Sequence, residues 1–406
     1  MSATTDTMTP PRRPRTARRG PLLMLAAAFW LSSCAPLPPA ATPQPEAAAG
    51  LRLIGEAVLP HGLDYGGTTV GGLSGIDYDA AGDRYVLISD DRSDHQPARF
   101  YTARIRYDAA SLEPPVLTGT AALRQPSGRP YAPARAAEDG VDVPDAEAVR
   151  WLPGGQALLW TTEGDHARGF DPALREARAD GSFVRELPLP AHLGFSREPG
   201  RGARNNATLE GLAITPDGRT AWVAMEGPLR QDGPVATPAS GGAPVRFTAL
   251  DIASGRALRQ IAYQPDAVPL ASPVPGGHTN NGVAEILADG PDHLLVLERS
   301  YSLGAGTSLR LYRIDTRAGS DTLALDRLAP GNHRPAPKVL VANLATLGLR
   351  RLDNVEGMTW GPPLPGGARV LVFVSDNNFS RMQITQLFAA EYREPPPTAS
   401  ASASAP

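Results

Sequence analysis

One unit recurs five times along this 406-residue chain. An acidic or hydroxyl residue opens a short apolar strand, a turn follows, and a second apolar strand ends on a carboxylate. The copies run from Leu73-Ser74-Gly75-Ile76-Asp77 to Ile88-Ser89-Asp90, from Glu147-Ala148-Val149 to Thr162-Glu163, and from Glu210-Gly211-Leu212 to Met225-Glu226. The last two run from Glu285-Ile286 to Leu297-Glu298 and from Glu356-Gly357-Met358 to Ser375-Asp376. Openers at positions 74, 147, 210, 285 and 356 give intervals of 73, 63, 75 and 71 residues. A near-constant period of this kind marks a repeat architecture, in which each unit buries its apolar face against its neighbours.

Alternation and turn residues divide each repeat into four strands. The third reads Leu212–Thr215, Thr220–Glu226, Val245–Ile252 and Leu258–Gln264, with Pro216-Asp217-Gly218 as its first turn. Asp-Gly between apolar runs is a hairpin signal because both residues tolerate positive φ. The fourth reads Val283–Leu287, Leu294–Arg299, Leu309–Asp315 and Lys338–Leu344. The fifth supplies only Gly357–Trp360, Arg369–Asp376 and Met382–Phe388, and Leu51–Val58 is left to complete it. The expected fold is an all-β propeller of five four-stranded blades, its last blade closed by the N-terminal strand. A six-bladed wheel is the alternative, since the longer intervals leave room for a further blade.

Both ends of the chain read as non-globular. Arg12, Arg13, Arg15, Arg18 and Arg19 precede the apolar run Leu22–Leu31 and then Ser32-Ser33-Cys34. A basic region, a short apolar core and small residues form an export signal over 1–33, and the run is too short for a spanning helix. Leu31-Ser32-Ser33-Cys34 resembles the bacterial lipobox, which makes Cys34 the expected lipidation site. As the single cysteine it excludes an intramolecular disulfide. An acyl anchor at Cys34, an Ala/Pro-rich tether over 34–50, a propeller over 51–393 and a disordered tail over 394–406 complete the organisation. The expected location is the cell envelope, on the periplasmic face or outer membrane.

A net charge of −3 gives no footprint for nucleic acid. Lys338 is the only lysine, which argues against a P-loop and confines any Schiff-base chemistry to that position. No Gly-x-Ser-x-Gly elbow is present, so a serine-nucleophile hydrolase is unsupported. No His-x-His or His-x-x-x-His pair suggests zinc.

The openers and closing acids of each repeat fall at the same end of a blade. Five blades then bring Glu147, Glu210, Glu285 and Glu356 to one mouth of the channel. Asp90, Glu163, Glu226, Glu298 and Asp376 form a second, outer set. So many carboxylates raise one another's pKa and call for a counter-charge. Calcium, which takes oxygen ligands from carboxylates, amides and water, is one source. Arg92, Arg299 and Arg381 are another, and backbone N–H groups of neighbouring blades, which make the glutamates structural clips, are the third. Asn205-Asn206, Asn280-Asn281, Asn354 and Asn378 lie beside these acids as further oxygen ligands or as turn formers. His166 and His278 fall on the same loops, as acid–base groups or as solvated loop residues.

Gly72-Leu73-Ser74-Gly75-Ile76 with Ser89-Asp90-Asp91-Arg92 resembles the start of the family described as having esterase-like activity of phytase. Thr208-Leu209-Glu210-Gly211-Leu212, Leu297-Glu298-Arg299 and Asn354-Val355-Glu356-Gly357 resemble its later motifs. The resemblance runs from about residue 51 to 390. It implies kinship with calcium-dependent propeller phytases, which hydrolyse phosphomonoesters at an acidic, metal-filled mouth. Those propellers have six blades and grip substrate with lysines as well as arginines, and this chain departs on both points. The expected activity is a calcium-assisted phosphoesterase or esterase acting on a small ester. In it Glu210, Glu285, Arg92 and Arg299 are catalytic, and Asp90, Glu147, Glu163, Glu226, Glu298, Glu356 and Asp376 hold metal. A non-catalytic ligand-binding propeller and a lactonase-type hydrolase are the alternatives.

Overall fold

The computed structural model describes residues 50–92, 95–138 and 140–395, all within one compact unit. The readings of the export signal, Cys34 and most of the tether and tail lie outside the described residues. Five four-stranded antiparallel sheets follow one another along the chain. Blade I comprises Leu73–Asp79, Arg84–Ser89, Arg99–Arg104 and Val116–Ala122. Blade II comprises Ala146–Trp151, Ala157–Thr162, Ala173–Arg178 and Phe183–Leu187. Blade III comprises Leu209–Ile214, Thr220–Met225, Val245–Asp251 and Ala257–Tyr263. Blade IV comprises Thr279–Ala288, His293–Ser302, Gly306–Asp315 and Lys338–Asn343.

Blade V is closed as expected: Val355–Gly361, Arg369–Ser375 and Thr385–Tyr392 are joined by Leu51–Leu59. The closing strand pairs from Leu51↔Tyr392 to Leu59↔Thr385, and Arg52 reaches Glu391 at 2.6 Å. Each innermost strand packs on the next, from blade I round to blade V and back to I. The molecule is a five-bladed β-propeller; among the described residues helix is confined to three single 3-10 turns. The turn at Thr215–Thr220 shows why the hairpins form. Gly218 takes φ +70°, and Asp217 accepts from Thr215 Oγ1 at 2.6 Å and from Arg219 N at 3.1 Å.

The core lies between blades rather than within them. One cluster joins blades II, III and IV through Leu159, Leu212, Phe247 and Ile286, and another joins IV and V through Leu297, Met358 and Phe373. A third joins V and I through Ile76, Leu87 and Val372, and a fourth joins I and II through Ile88, Val149 and Trp160. Each fully buried Leu, Ile or Phe contributes roughly 1.5–3 kcal/mol, so the wheel is held shut by its seams. The third strand of blade V starts at Thr385, not at Met382. Ser380–Gln383 forms a turn closed by Gln383 N to Ser380 O at 3.2 Å, leaving Met382 78% exposed. At the far end Gly50 pairs with Val341 and Arg393, and Glu394 pairs with Arg313 at 2.8 Å, so order extends slightly beyond both expected limits.

Candidate functional site

Every innermost strand carries a register irregularity at the same end. The ladder steps from Leu73 to Gly75, from Ala146 to Val149, from Leu209 to Gly211, from Val283 to Glu285 and from Val355 to Gly357. A bulge re-aims the residue it leaves unpaired. Those residues are Ser74, Glu147 with Ala148, Glu210, Ala284 and Glu356.

The partner strands fix a second set. Leu73 pairs with Ser89, Ala146 with Thr162, Leu209 with Met225, Val283 with Glu298 and Val355 with Ser375. The next residue towards the mouth is Asp90, Glu163, Glu226, Arg299 or Asp376. A shared backbone bond confirms the equivalence. Glu163 N donates to Asp145 O at 2.9 Å, Glu226 N to Thr208 O at 2.6 Å and Asp376 N to Asn354 O at 2.9 Å. Asp90 N donates to Gly72 O in the same way, and Arg299 is laddered to Gly282.

Blade IV therefore stands one residue out of step with the sequence reading. Its bulged residue is Ala284 and its outer ring residue is the cation Arg299, so Glu285 and Glu298 do not join the mouth. Glu298 accepts from Asn281 Nδ2 at 2.8 Å, from Tyr263 OH at 2.5 Å and from the only lysine, Lys338, at 2.5 Å. Glu285 lies deeper, 2.8 Å from Arg150 and accepting from Leu212 N and Ile286 N, both at 2.9 Å. Arg150 also donates to Ile76 O at 2.6 Å and Ile286 O at 3.0 Å, so it crosses the channel from blade I to blade IV.

The remaining acids surround a pocket of about 290 Å³ lined by Asp90, Asp145, Glu147, Glu163, Glu210 and Glu356, with Arg92 and Arg299. Asp145 was not singled out in the sequence. It stands two residues before Glu147 as Asn354 stands before Glu356, and that offset could have found it. Asp91, paired with Arg99, and His95, Asn206, Asn354, Asn378 and Phe379 complete the lining. Asn205 lines an adjacent cavity, whereas His166, His278 and Arg381 are exposed and outside the pocket. Of the five non-glycine residues described with positive φ, four line it: Arg92, Asn206, Asn378 and Phe379. Strained backbone concentrated at one pocket is a mark of a functional site.

Three triads of carboxylate oxygens each lie within 4.8 Å of one another: Asp90–Glu356–Asp376, Asp90–Asp145–Glu147 and Glu147–Glu163–Glu210. Asp90 and Glu147 each belong to two, so the triads form one chain. At an effective dielectric of about 20, two carboxylates that far apart repel by roughly 3–4 kcal/mol. Burial pushes Asp90, Glu147, Glu210 and Asp376 well above the usual carboxylate range, and neighbouring acids push the same way. Burial and Asp145 lift Glu163 to about 8. Burial also raises Glu226 and Glu356, against the attraction of Arg299.

Two guanidinium groups face these eight carboxylates. Arg92 Nε lies 2.6 Å from Asp145, and Arg92 also reaches the Asn206 amide oxygen. Arg299 lies 3.1 Å from Glu226 and 3.4 Å from Glu356. Burial opposes the charge on both, but the carboxylates prevail and raise their pKa. Two polar atoms in this network have no hydrogen-bond partner, Glu356 Oε2 and Arg299 Nε. An unpaired acceptor beside an unpaired donor, with carboxylates in excess, fits a site built to receive hard cations and an anion.

Residues 68–379 match the model of the family described as "Phytase-like: Esterase-like activity of phytase". Among solved structures, a Kuenenia stuttgartiensis hydrazine synthase is 13% identical, with 77% of this chain and 80% of that chain covered and a TM-score of 0.35. A periplasmic gluconolactonase of Pseudomonas aeruginosa is 13% identical, with 81% and 88% covered and a TM-score of 0.32. A bifunctional GH43-CE protein of Bacteroides eggerthii is 10% identical, with 78% and 33% covered and a TM-score of 0.39. Likenesses this remote carry no argument here. No curated protein matches the chain.

Proposed function

The chain belongs to the phytase-like family described as having esterase-like activity of phytase, and from that premise we propose that it is a metal-assisted hydrolase of anionic esters. The observation that carries the reading is the excess of buried carboxylates in one pocket, chained through Asp90 and Glu147, beside the unpaired Glu356 oxygen. Asp90, Asp145, Glu147, Glu163, Glu356 and Asp376 would hold the cations. Their oxygen-only donor set suits calcium.

When bound, calcium supplies charge neutralisation, polarisation of the ester and a lowered pKa for water. The chain's own residues do the rest. Arg299 lines the pocket as the cation nearest Glu226 and Glu356 and meets the substrate anion, and Arg92, held by Asp145 and Asn206, faces the pocket from the blade I side. Glu210, on its bulge and with its pKa raised by burial, takes the proton of the attacking water. Glu285, paired with Arg150, takes no part in this reading.

A second reading, a non-catalytic binding propeller, draws support from Glu163. Its Oε1 accepts from Thr208 N at 2.7 Å and its carbonyl from Thr208 Oγ1 at 3.0 Å, a clip between blades II and III. The same proposal includes export by residues 1–33 and acyl anchoring at Cys34, on the sequence motif alone. The deciding experiment is the metal content of the purified protein, then a panel of phosphate esters, carboxylate esters and lactones with calcium or chelator. Chelator-sensitive turnover of esters supports the hydrolase. No turnover of any member with calcium supplied sinks it, and preferred turnover of lactones moves the reading to a lactonase.

A further inference from the structure

The acid pocket, at about 290 Å³ and almost wholly polar, has room for an ester head group but little else. Small-molecule sites usually occupy about 300–1,000 Å³ with a largely apolar lining. The remainder of a substrate must therefore lie outside it. A second cavity, of about 680 Å³, adjoins the pocket on the side of blades IV and V and shares Arg299, Asn354 and Asn378 with it.

That cavity exists because blade IV is longer than the others. Its first three strands have ten residues each, and the pairs Thr279↔Ser302, Asn280↔Tyr301, Asn281↔Ser300 and Gly282↔Arg299 extend beyond the bulge at Ala284. The third strand continues the row, with Thr307 opposite Tyr301. Residues directly opposite share a sheet face, as do residues two apart on one strand. Asn280, Tyr301, Thr307 and Arg299 thus face the same way, and all four line the cavity. Tyr301 follows Arg299 by two residues, roughly 7 Å along the strand. The Asn280 side chain accepts from Tyr301 N at 2.8 Å and fixes the row.

Across the cavity stands the turn that displaces Met382. Tyr301 is 37% exposed and Met382 78% exposed, two large apolar side chains on the walls of one cavity. The polar groups beside Met382 are engaged with one another: Arg351 lies 2.9 Å from Asp353 and also donates to Met382 O. The cavity on the other flank of the pocket, about 330 Å³, offers no comparable surface, since its apolar walls are Ala134, Val143 and Ala167.

We propose that the blade IV overhang and the Met382 turn form a subsite for the organic group of the ester, and that this group is aromatic or otherwise apolar. The inference rests on the hydrolase reading. The anionic head sits at Arg299 and the organic group lies over Tyr301, with Met382 closing on it as an adaptable wall. Among the residues that line this cavity the cations are Arg299 and the already paired Arg351, while Arg381 of the Met382 turn and His278 near Tyr301 stand outside the lining.

The test is binding rather than turnover. Phenylphosphonate and methylphosphonate, which are not hydrolysed, are titrated calorimetrically into the full chain saturated with calcium. Burial of a phenyl ring predicts about tenfold tighter binding of the phenyl compound. Tyr301→Ala and Met382→Ser should each remove most of that preference while leaving methylphosphonate affinity unchanged. Both positions are exposed, and an unchanged melting temperature verifies folding. Equal affinity of the two compounds for the wild-type chain, or a preference that survives the double variant, overturns the subsite and leaves the hydrolase standing. Binding of neither overturns the hydrolase and the subsite together.

Discussion

Arg299 Nη2 lies 3.1 Å from Glu226 Oε1, and the two residues hold the same position in adjacent blades. Where four of the five blades place a carboxylate, blade IV places a guanidinium. All three carboxylate triads fall on the other side of the pocket, among blades I, II, III and V. On its own side Arg299 acts as a built-in cation, pairing with Glu226 Oε1 and with Glu356 Oε1 while the second Glu356 oxygen stays unpaired. Replacement of Arg299 by Glu completes the ring of acids and is expected to add one divalent ion per chain to the calcium stoichiometry measured by calorimetry. Arg299→Gln should not add one, because it supplies no further carboxylate. An unchanged count in Arg299→Glu would show that the guanidinium does not stand in for an ion.

The raised carboxylates set a pH dependence. A carboxyl whose folded pKa exceeds its unfolded value binds more protons in the folded state. It therefore supports folding at low pH and loses that support as pH rises through the folded value. Glu163, at about 8, covers the window from about 4.5 to 8, and Asp90, Glu147, Glu210 and Asp376 shift in the same direction. Metal-free protein should thus lose stability as pH rises from about 5 to 8. Calcium should restore it at pH 8 and do little at pH 5, where protons compete. Denaturant midpoints across that range, with calcium or chelator, check it; midpoints in chelator that rise with pH would refute it.

Blade V depends on its N-terminal strand. Leu51–Leu59 fills the outer edge along Thr385–Tyr392, and Leu51, Ile54 and Leu59 are buried in two different interblade clusters. Their burial amounts to roughly 5–9 kcal/mol at the usual 1.5–3 per side chain, within the range of a whole domain's net stability. A chain starting at residue 60 should fail to give a soluble, cooperatively unfolding protein. A cleaved strand added back as the peptide 50–59 should rescue it in part. Cooperative unfolding of the truncated chain at an unaltered midpoint would contradict this.

The wheel was legible because the repeat repeats its turn chemistry and apolar alternation, and both survive comparison at offsets of a few residues. Blade count and closure followed from three strands left at one end and one at the other. The ring was legible only in part, because side-chain placement turns on a single residue of register. Glu285-Ile286 and Leu297-Glu298 mimic the other blades so closely that the sequence pattern points one residue past Ala284 and one short of Arg299, the true occupants of the ring. Arg299 itself was foreseen as a functional cation, for its charge rather than for its place. Phe379 and His95, ring centroids 4.7 Å apart and tilted to one another beside the acids, carry no sequence pattern and come together only in the folded wheel.

The channel below the pocket is plugged by charge. Arg150 and Glu285 are 3% and 1% exposed at their side chains, and Arg150 also lines the cavity at the opposite end. Burial wins over the attraction of Arg150 in lifting Glu285 to about 7. Glu285→Gln retains an amide oxygen for Leu212 N and Ile286 N and removes only the negative charge. It leaves a buried guanidinium with carbonyl partners alone, a change that typically costs about 3–5 kcal/mol. That loss should be largest at low pH and shrink as pH rises from about 4.5 to 7, because the wild-type carboxyl gives up its support over that window and the amide does not titrate. Glu210→Gln, at the pocket, should instead abolish ester turnover and weaken calcium binding with a smaller effect on the metal-free midpoint. Paired denaturation and calorimetry separate the two residues. A Glu285→Gln chain that folds as firmly as wild type but loses calcium would place Glu285 at the metal site, and the plug would have to be given up.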